Sequence, residues 1–116
     1  MAQFKDKKIL VIGGSRGIGA AIVREFAREG GTVAFTYAGS KDAADALAAE
    51  TGSEAVRSDA GNRADVIETV RGQGPIDVLV VSAGVLALGD PLEIDPDAID
   101  GMIDVNVRAP YHAAVA

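Results

Sequence analysis

The sequence predicts an α/β fold in which a parallel sheet carries helices on both faces, with strands in the order 3-2-1-4. Three observations predict it. Short apolar runs alternate with helical patterns along the whole chain. The connections are helix-length, which requires parallel pairing and right-handed crossovers. A glycine-rich turn, Gly13-Gly14-Ser15-Arg16-Gly17-Ile18-Gly19, directly follows the first apolar run, Ile9-Leu10-Val11-Ile12. Together these describe a Rossmann-type doubly wound sheet whose strand order reverses between strands 1 and 4.

Each element has its own local cause. Lys7–Ile12 is continuous in apolar residues, as a strand buried on both faces must be. From Gly17 to Glu29, Ile18, Ile22 and Phe26 recur at four-residue steps beside Val23, with Arg24, Glu25, Arg28 and Glu29 opposite them, which predicts an amphipathic helix. Gly30-Gly31 stops it. Thr32–Tyr37 is β-branched and aromatic, a second strand. Ser40 is placed to cap an alanine-rich helix through Glu50, with Gly52 past its end. Glu54–Ser58 is a weaker third strand. Asn62 caps a helix through Arg71, whose stripe is Val66, Ile67 and Val70. Ile76–Val81 is the fourth strand. A loop rich in Leu and Gly follows Gly84, and Asp95-Pro96 opens a last helix with Ile99, Met102, Ile103 and Val107 on its apolar side. Pro110 is expected to kink or break it.

Composition narrows the function. At 116 residues the chain is expected to be one domain, residues 1–116. A net charge of −6 argues against a nucleic acid polymer as partner, though not against a single nucleotide held by local donors. Cysteine is absent and His112 is the single histidine, so no thiolate or multi-histidine metal centre is expected. The aspartates at 90, 95, 97, 100 and 104 read as caps and a solvated helix face. No apolar run approaches the ~18 residues of a membrane span, and the basic start precedes too short an apolar run for a signal peptide. A cytoplasmic protein with no membrane partner is the expectation.

The glycine turn is the candidate site. Gly13, Gly17 and Gly19 fall where side chains would hold a bound phosphate away from the backbone. Amides from Ser15 to Ile18, with the helix N-terminus behind them, would face a pyrophosphate.

These residues resemble the short-chain dehydrogenase/reductase family, whose signature is a strand followed by Thr-Gly-x-x-x-Gly-Ile-Gly. Here Ile12 stands in place of the Thr before Gly13. Three further motifs lie in register: Asp59-Ala60 after the third strand, Val81-Ser82-Ala83-Gly84 where the family carries Asn-Asn-Ala-Gly, and Asn106 in the last helix. The resemblance spans essentially the whole chain. It implies an NADP-dependent oxidoreductase that transfers hydride between NADPH and a small-molecule carbonyl or alcohol substrate.

The resemblance also assigns roles. Arg16 would clamp the 2′-phosphate of NADP, because a guanidinium donates to a phosphate in a planar fork. Tyr37 follows Gly19 by 18 residues, where NAD-using relatives carry an Asp; without that carboxylate NADP is favoured over NAD. Ser40 is placed to donate to the same phosphate. Asp59 and Ala60 would meet the adenine, and Ala83 and Gly84 would admit the nicotinamide-side ribose. Val81 takes the place of an Asn that ties neighbouring strands, so that bond must be lost or replaced. Asn106 would hold a proton-relaying water. Family chains are roughly twice this length, and the redox Ser and Tyr-x-x-x-Lys are expected beyond residue 116, leaving this chain inactive by itself.

Two other functions share these motifs. The stretch from Phe35 to Ala44 resembles a branch that includes a nucleotide-sensing protein, with cyclic-di-GMP as its ligand. The third reading is a 3-oxoacyl-acyl-carrier-protein reductase. A fourth strand with Val78, Leu79, Val80 and Val81 in a row, left at the sheet edge, is expected to promote self-association, and the family resemblance implies a homo-oligomer.

Overall fold

The computed structural model describes residues 4–14, 17–82 and Asp97. Its elements run β1 (Lys8–Ile12), α1 (Gly17–Arg28), β2 (Thr32–Tyr37), α2 (Lys41–Thr51), β3 (Glu54–Arg57), α3 (Arg63–Gly72) and β4 (Val78–Val81). The strands form one four-stranded sheet in the order β3-β2-β1-β4, as the sequence predicts. All three pairings are parallel, with Leu10 opposite Ala34 on one side and Leu79 on the other, and Phe35 opposite Ala55.

The side-chain alternation of β1 builds two cores at once. Ile9 and Val11 point to one face, where they meet Ala20 and Val23 of α1, Ala44 and Leu47 of α2, and Val33 and Phe35 of β2. Leu10 and Ile12 point to the other, against Val66 and Val70 of α3. Ile9, Leu10 and Val11 are fully buried, as befits an interior strand that serves both cores. Each such side chain contributes about 1.5–3 kcal/mol through burial. At the start of the sheet, Asp77 Oδ2 accepts from the Lys8 N–H and the Asp77 N–H donates to the Lys8 carbonyl, which sets the β1–β4 register. The Phe4 ring packs edge-on against Phe26, with centroids 4.8 Å apart, and covers the far end of α1.

Helix ends follow the expected chemistry with two exceptions. Asn62 caps α3, its Oδ1 accepting from the Asp65 N–H at 3.0 Å, a bond worth about 1 kcal/mol. Gly52 ends α2 in the left-handed conformation and donates to the Ala48 carbonyl. Ser40 occupies the N-cap position of α2, but its side chain makes no cap hydrogen bond. The second exception is α1. Its buried face is Gly19, Ala20 and Val23, and Ile18 is 78% exposed rather than part of the core stripe. The reason is close packing: the glycine at 19 lets the first turn seat against the end of β1, which rotates its neighbour Ile18 outward.

The expected helix after Asp95-Pro96 lies outside the described residues, apart from Asp97, which is helical and exposed. Among the described residues, no helix is long and apolar enough to cross a membrane, and no group of acidic or histidine side chains is placed to hold a metal ion.

Candidate functional site

The C-terminal ends of the four strands converge on one edge of the sheet, and all the described candidate residues lie there. The connection leaving β1 goes to β2, while β4 lies on the other side of β1. A crevice opens at such a reversal, because the two connections diverge from it.

The turn after β1 is built by exclusion of side chains. Gly13 has φ +87° and Gly17 φ +59°, where a Cβ is strained. Gly19 is required by contact instead: a Cβ there would lie 2.1 Å from the Gly13 carbonyl oxygen and 3.0 Å from Gly14 Cα. Gly14 packs inward, where a Cβ would come within 2.7 Å of Phe35 Cβ and 2.9 Å of Val23 Cγ2. Among the described residues, nothing lies within 4 Å of a Cβ placed on Gly17. The first turn of α1 contains no acidic residue, leaving the positive end of the helix dipole uncompensated by its own side chains. Such a turn presents backbone donors and a partial positive charge to any anion that comes close.

The turn is held from β2. The Gly13 N–H donates to Thr36 Oγ1 at 2.9 Å, and the Gly14 N–H to the Thr36 carbonyl at 3.1 Å. At the end of β2, Tyr37 is half-buried against the α1–α2 core, and Ser40 and Lys41 begin α2. Lys41 Nζ pairs with Asp45 Oδ2 at 2.7 Å. That hydrogen bond, and then the Asp45 charge, hold the ammonium above the usual lysine range, with a smaller contribution from Tyr37.

After β3 the chain closes into a tight acidic turn. Asp59 Oδ1 accepts from the Gly61 N–H at 2.8 Å, and the Asp59 carbonyl accepts from the Asn62 N–H. The Asp59 N–H donates to Asp65 Oδ2 at 3.1 Å. Ala60 is half-buried against the core beneath α3. At the end of β4 the Ser82 N–H donates to the Ile12 carbonyl at 2.8 Å. This backbone bond ties the tips of β4 and β1 together beside the position where Val81 lacks a side-chain amide.

The structure therefore brings Gly13, Gly17, Ile18, Gly19, Tyr37, Ser40, Asp59 and Ala60 to one edge. Ser15, Arg16, Ala83, Gly84, Asn106 and His112 lie outside the described residues. Motif spacing does not reveal Thr36; the signal for it is a hydroxyl in an otherwise apolar buried strand, which must find a partner. Lys41 also escapes notice. Tyr37 and Lys41 have the Tyr-x-x-x-Lys spacing that the sequence reading places beyond residue 116. Here that spacing straddles the end of a strand and the start of a helix, so the two side chains do not share one helical face.

The profile of the short chain dehydrogenase family matches residues 7–116. The cyclic-di-GMP-binding biofilm dispersal mediator protein of Escherichia coli (strain K12) is 54% identical over 115 residues, 99% of this chain and 48% of that protein. A 3-oxoacyl-[acyl-carrier-protein] reductase, FabG, of Staphylococcus epidermidis is 36% identical over 92% of this chain and 48% of its own. Among solved structures, BdcA in complex with NADPH superposes with a TM-score of 0.95 at 54% identity, over 97% of this chain and 46% of that one. The chain thus spans about half the length of the curated relatives it matches.

Proposed function

Because this chain belongs to the short-chain dehydrogenase family, we propose that its β1–α1 turn binds the pyrophosphate of NADPH and that the whole protein is an NADP-dependent oxidoreductase acting on a carbonyl or alcohol substrate. One observation carries the reading. Gly19 and Gly13 touch so closely that no side chain fits between them, and the resulting turn lies at the C-terminal end of β1, where the strand order reverses. The residues present fit the cofactor: a side-chain-free turn for the pyrophosphate, and a carboxylate turn at Asp59 for the adenine amino group. The cofactor, when bound, supplies the hydride.

The chain's own residues bind and orient. The amides from Ser15 to Ile18 hold the pyrophosphate, aided by the N-terminus of α1. Ile18, exposed beside them, offers an apolar surface to the dinucleotide. Asp59 accepts from the adenine amino group while the Ala60 amide donates to the ring. Ala83 and Gly84 leave room for the nicotinamide-side ribose, and Asn106 holds a water that relays protons. Arg16 and Ser40 take the 2′-phosphate. The absence of a cap hydrogen bond from the Ser40 side chain supports that role, since helix capping does not account for the residue. Tyr37 places no carboxylate where the 2′-phosphate would lie.

The similar E. coli protein, described as cyclic-di-GMP-binding, favours a second reading in which the same crevice senses that dinucleotide. The FabG likeness favours an acyl-carrier-protein substrate as a third. A cytoplasmic, homo-oligomeric protein fits each of them, with residues 1–116 as one domain. Titration calorimetry separates the ligands. NADPH is expected to bind at a micromolar dissociation constant, at least tenfold tighter than both NADH and cyclic-di-GMP. Cyclic-di-GMP binding tighter than NADPH would replace the enzyme reading with the sensor reading.

A further inference from the structure

We propose that Thr36 is a positioning residue for dinucleotide binding, acting through the glycine turn without touching the ligand. The inference rests on the cofactor reading above. Thr36 is 2% exposed and lies in the β2 run Val33-Ala34-Phe35, each member of which is buried. A hydroxyl there costs free energy unless it is bonded, and a valine would fill the same volume without that cost. The hydroxyl is retained and accepts from the Gly13 N–H.

The geometry explains what that bond does. Pairing between β1 and β2 runs as far as Val11 opposite Phe35. Beyond it the regular pairing ends, and the backbone turns at Gly13, with φ +87°. Thr36 captures the Gly13 amide with its side chain and the next one, from Gly14, with its carbonyl. Two successive peptide planes are thereby fixed. One of their carbonyls belongs to Gly13, the surface on which Gly19 and the start of α1 are seated. Thr36 also accounts for both early amides of the turn, so the donors left for a phosphate are those further along, at the opening of α1. Removing the hydroxyl leaves the Gly13 N–H unpaired and the Ile12–Gly13 peptide held only through its Ile12 carbonyl by the Ser82 N–H, so the turn that aims the following amides loses one of its two anchors to β2.

The test compares ligands that share the crevice but differ in the pyrophosphate. In Thr36→Val, NADPH and NADH affinities are expected to fall about tenfold, the effect of one buried donor left unpaired. Adenosine 2′-monophosphate, which has no pyrophosphate, is expected to bind within about twofold of wild type. Thr36→Ser keeps the oxygen and is expected to restore NADPH binding, with thermal melts recording the stability of both variants. Wild-type NADPH affinity in Thr36→Val would overturn the proposal. So would equal losses for all three ligands, or a Thr36→Ser variant as weak as Thr36→Val, because either result means a general structural role. Failure of the wild-type chain to bind NADPH or adenosine 2′-monophosphate would instead overturn the cofactor reading, and this inference with it.

Discussion

Gly19→Ala is expected to abolish detectable NADPH binding and to lower stability by about 2–4 kcal/mol, the cost of forcing a methyl group into a packed backbone contact. The methyl would lie 2.1 Å from the Gly13 oxygen and 3.0 Å from the Gly13 carbonyl carbon. Neither atom is the end of a side chain that can swing away. Relief must come from moving the turn or α1 by about an ångström. The turn cannot retreat inward, because Gly14 is already against Phe35 and Val23. Helix α1 must lift instead, which pulls Ala20 and Val23 from the core and carries the phosphate-facing amides away from the crevice. Gly39→Ala is the matched control, since a Cβ there meets nothing within 4 Å; it is expected to change stability by less than about 0.5 kcal/mol. Chemical denaturation and calorimetry on the two variants check both halves of the expectation.

Tyr37→Asp is expected to weaken NADPH about a hundredfold relative to NADH. A carboxylate at the end of β2 hydrogen-bonds the ribose hydroxyls of NADH but faces the doubly negative 2′-phosphate of NADPH, and like charges a few ångströms apart at a partly solvated site cost about 2–3 kcal/mol. Tyr37 is half-buried against the α1–α2 core, so the substitution also costs some stability. The ratio of the two affinities is therefore the quantity to read, because a folding defect affects both ligands equally. An unchanged ratio would place the 2′-phosphate elsewhere and remove the basis for preferring NADP.

Strand order and helix placement were legible because each element is overdetermined. β1 needs a continuous apolar run to serve two cores, and Ile9 to Ile12 provide it. Asn62 and Gly52 mark helix ends by capping chemistry that acts within a few residues. Strand limits were less legible: β4 spans Val78–Val81, because Asp77 ties the chain to Lys8 ahead of the strand. Ile18 departs from the expected apolar stripe for a reason that periodicity cannot express. Its four-residue step to Ile22 and Phe26 suits a helix packed along its length, whereas here the glycine at 19 makes the tightest contact. In the candidate site, glycine positions were legible because backbone geometry dictates them locally. Thr36 was not, because its significance depends on a partner 23 residues away that only the sheet brings near. Ser40 was legible as a cap position, but the cap hydrogen bond is a matter of local torsion, and at φ −105° and ψ 69° the side chain does not form it.

The central claim is that the backbone at the β1–α1 turn grips the pyrophosphate. Its most direct test is an amide chemical-shift titration of the isotopically labelled chain with NADPH. The largest shifts are expected at the amides from Ser15 to Ile18, with a second group at Asp59 and Ala60 and little change on the outer face of α3. Saturable binding that leaves the turn amides unmoved and shifts α3 residues such as Ala64, Ile67 and Arg71 would contradict it.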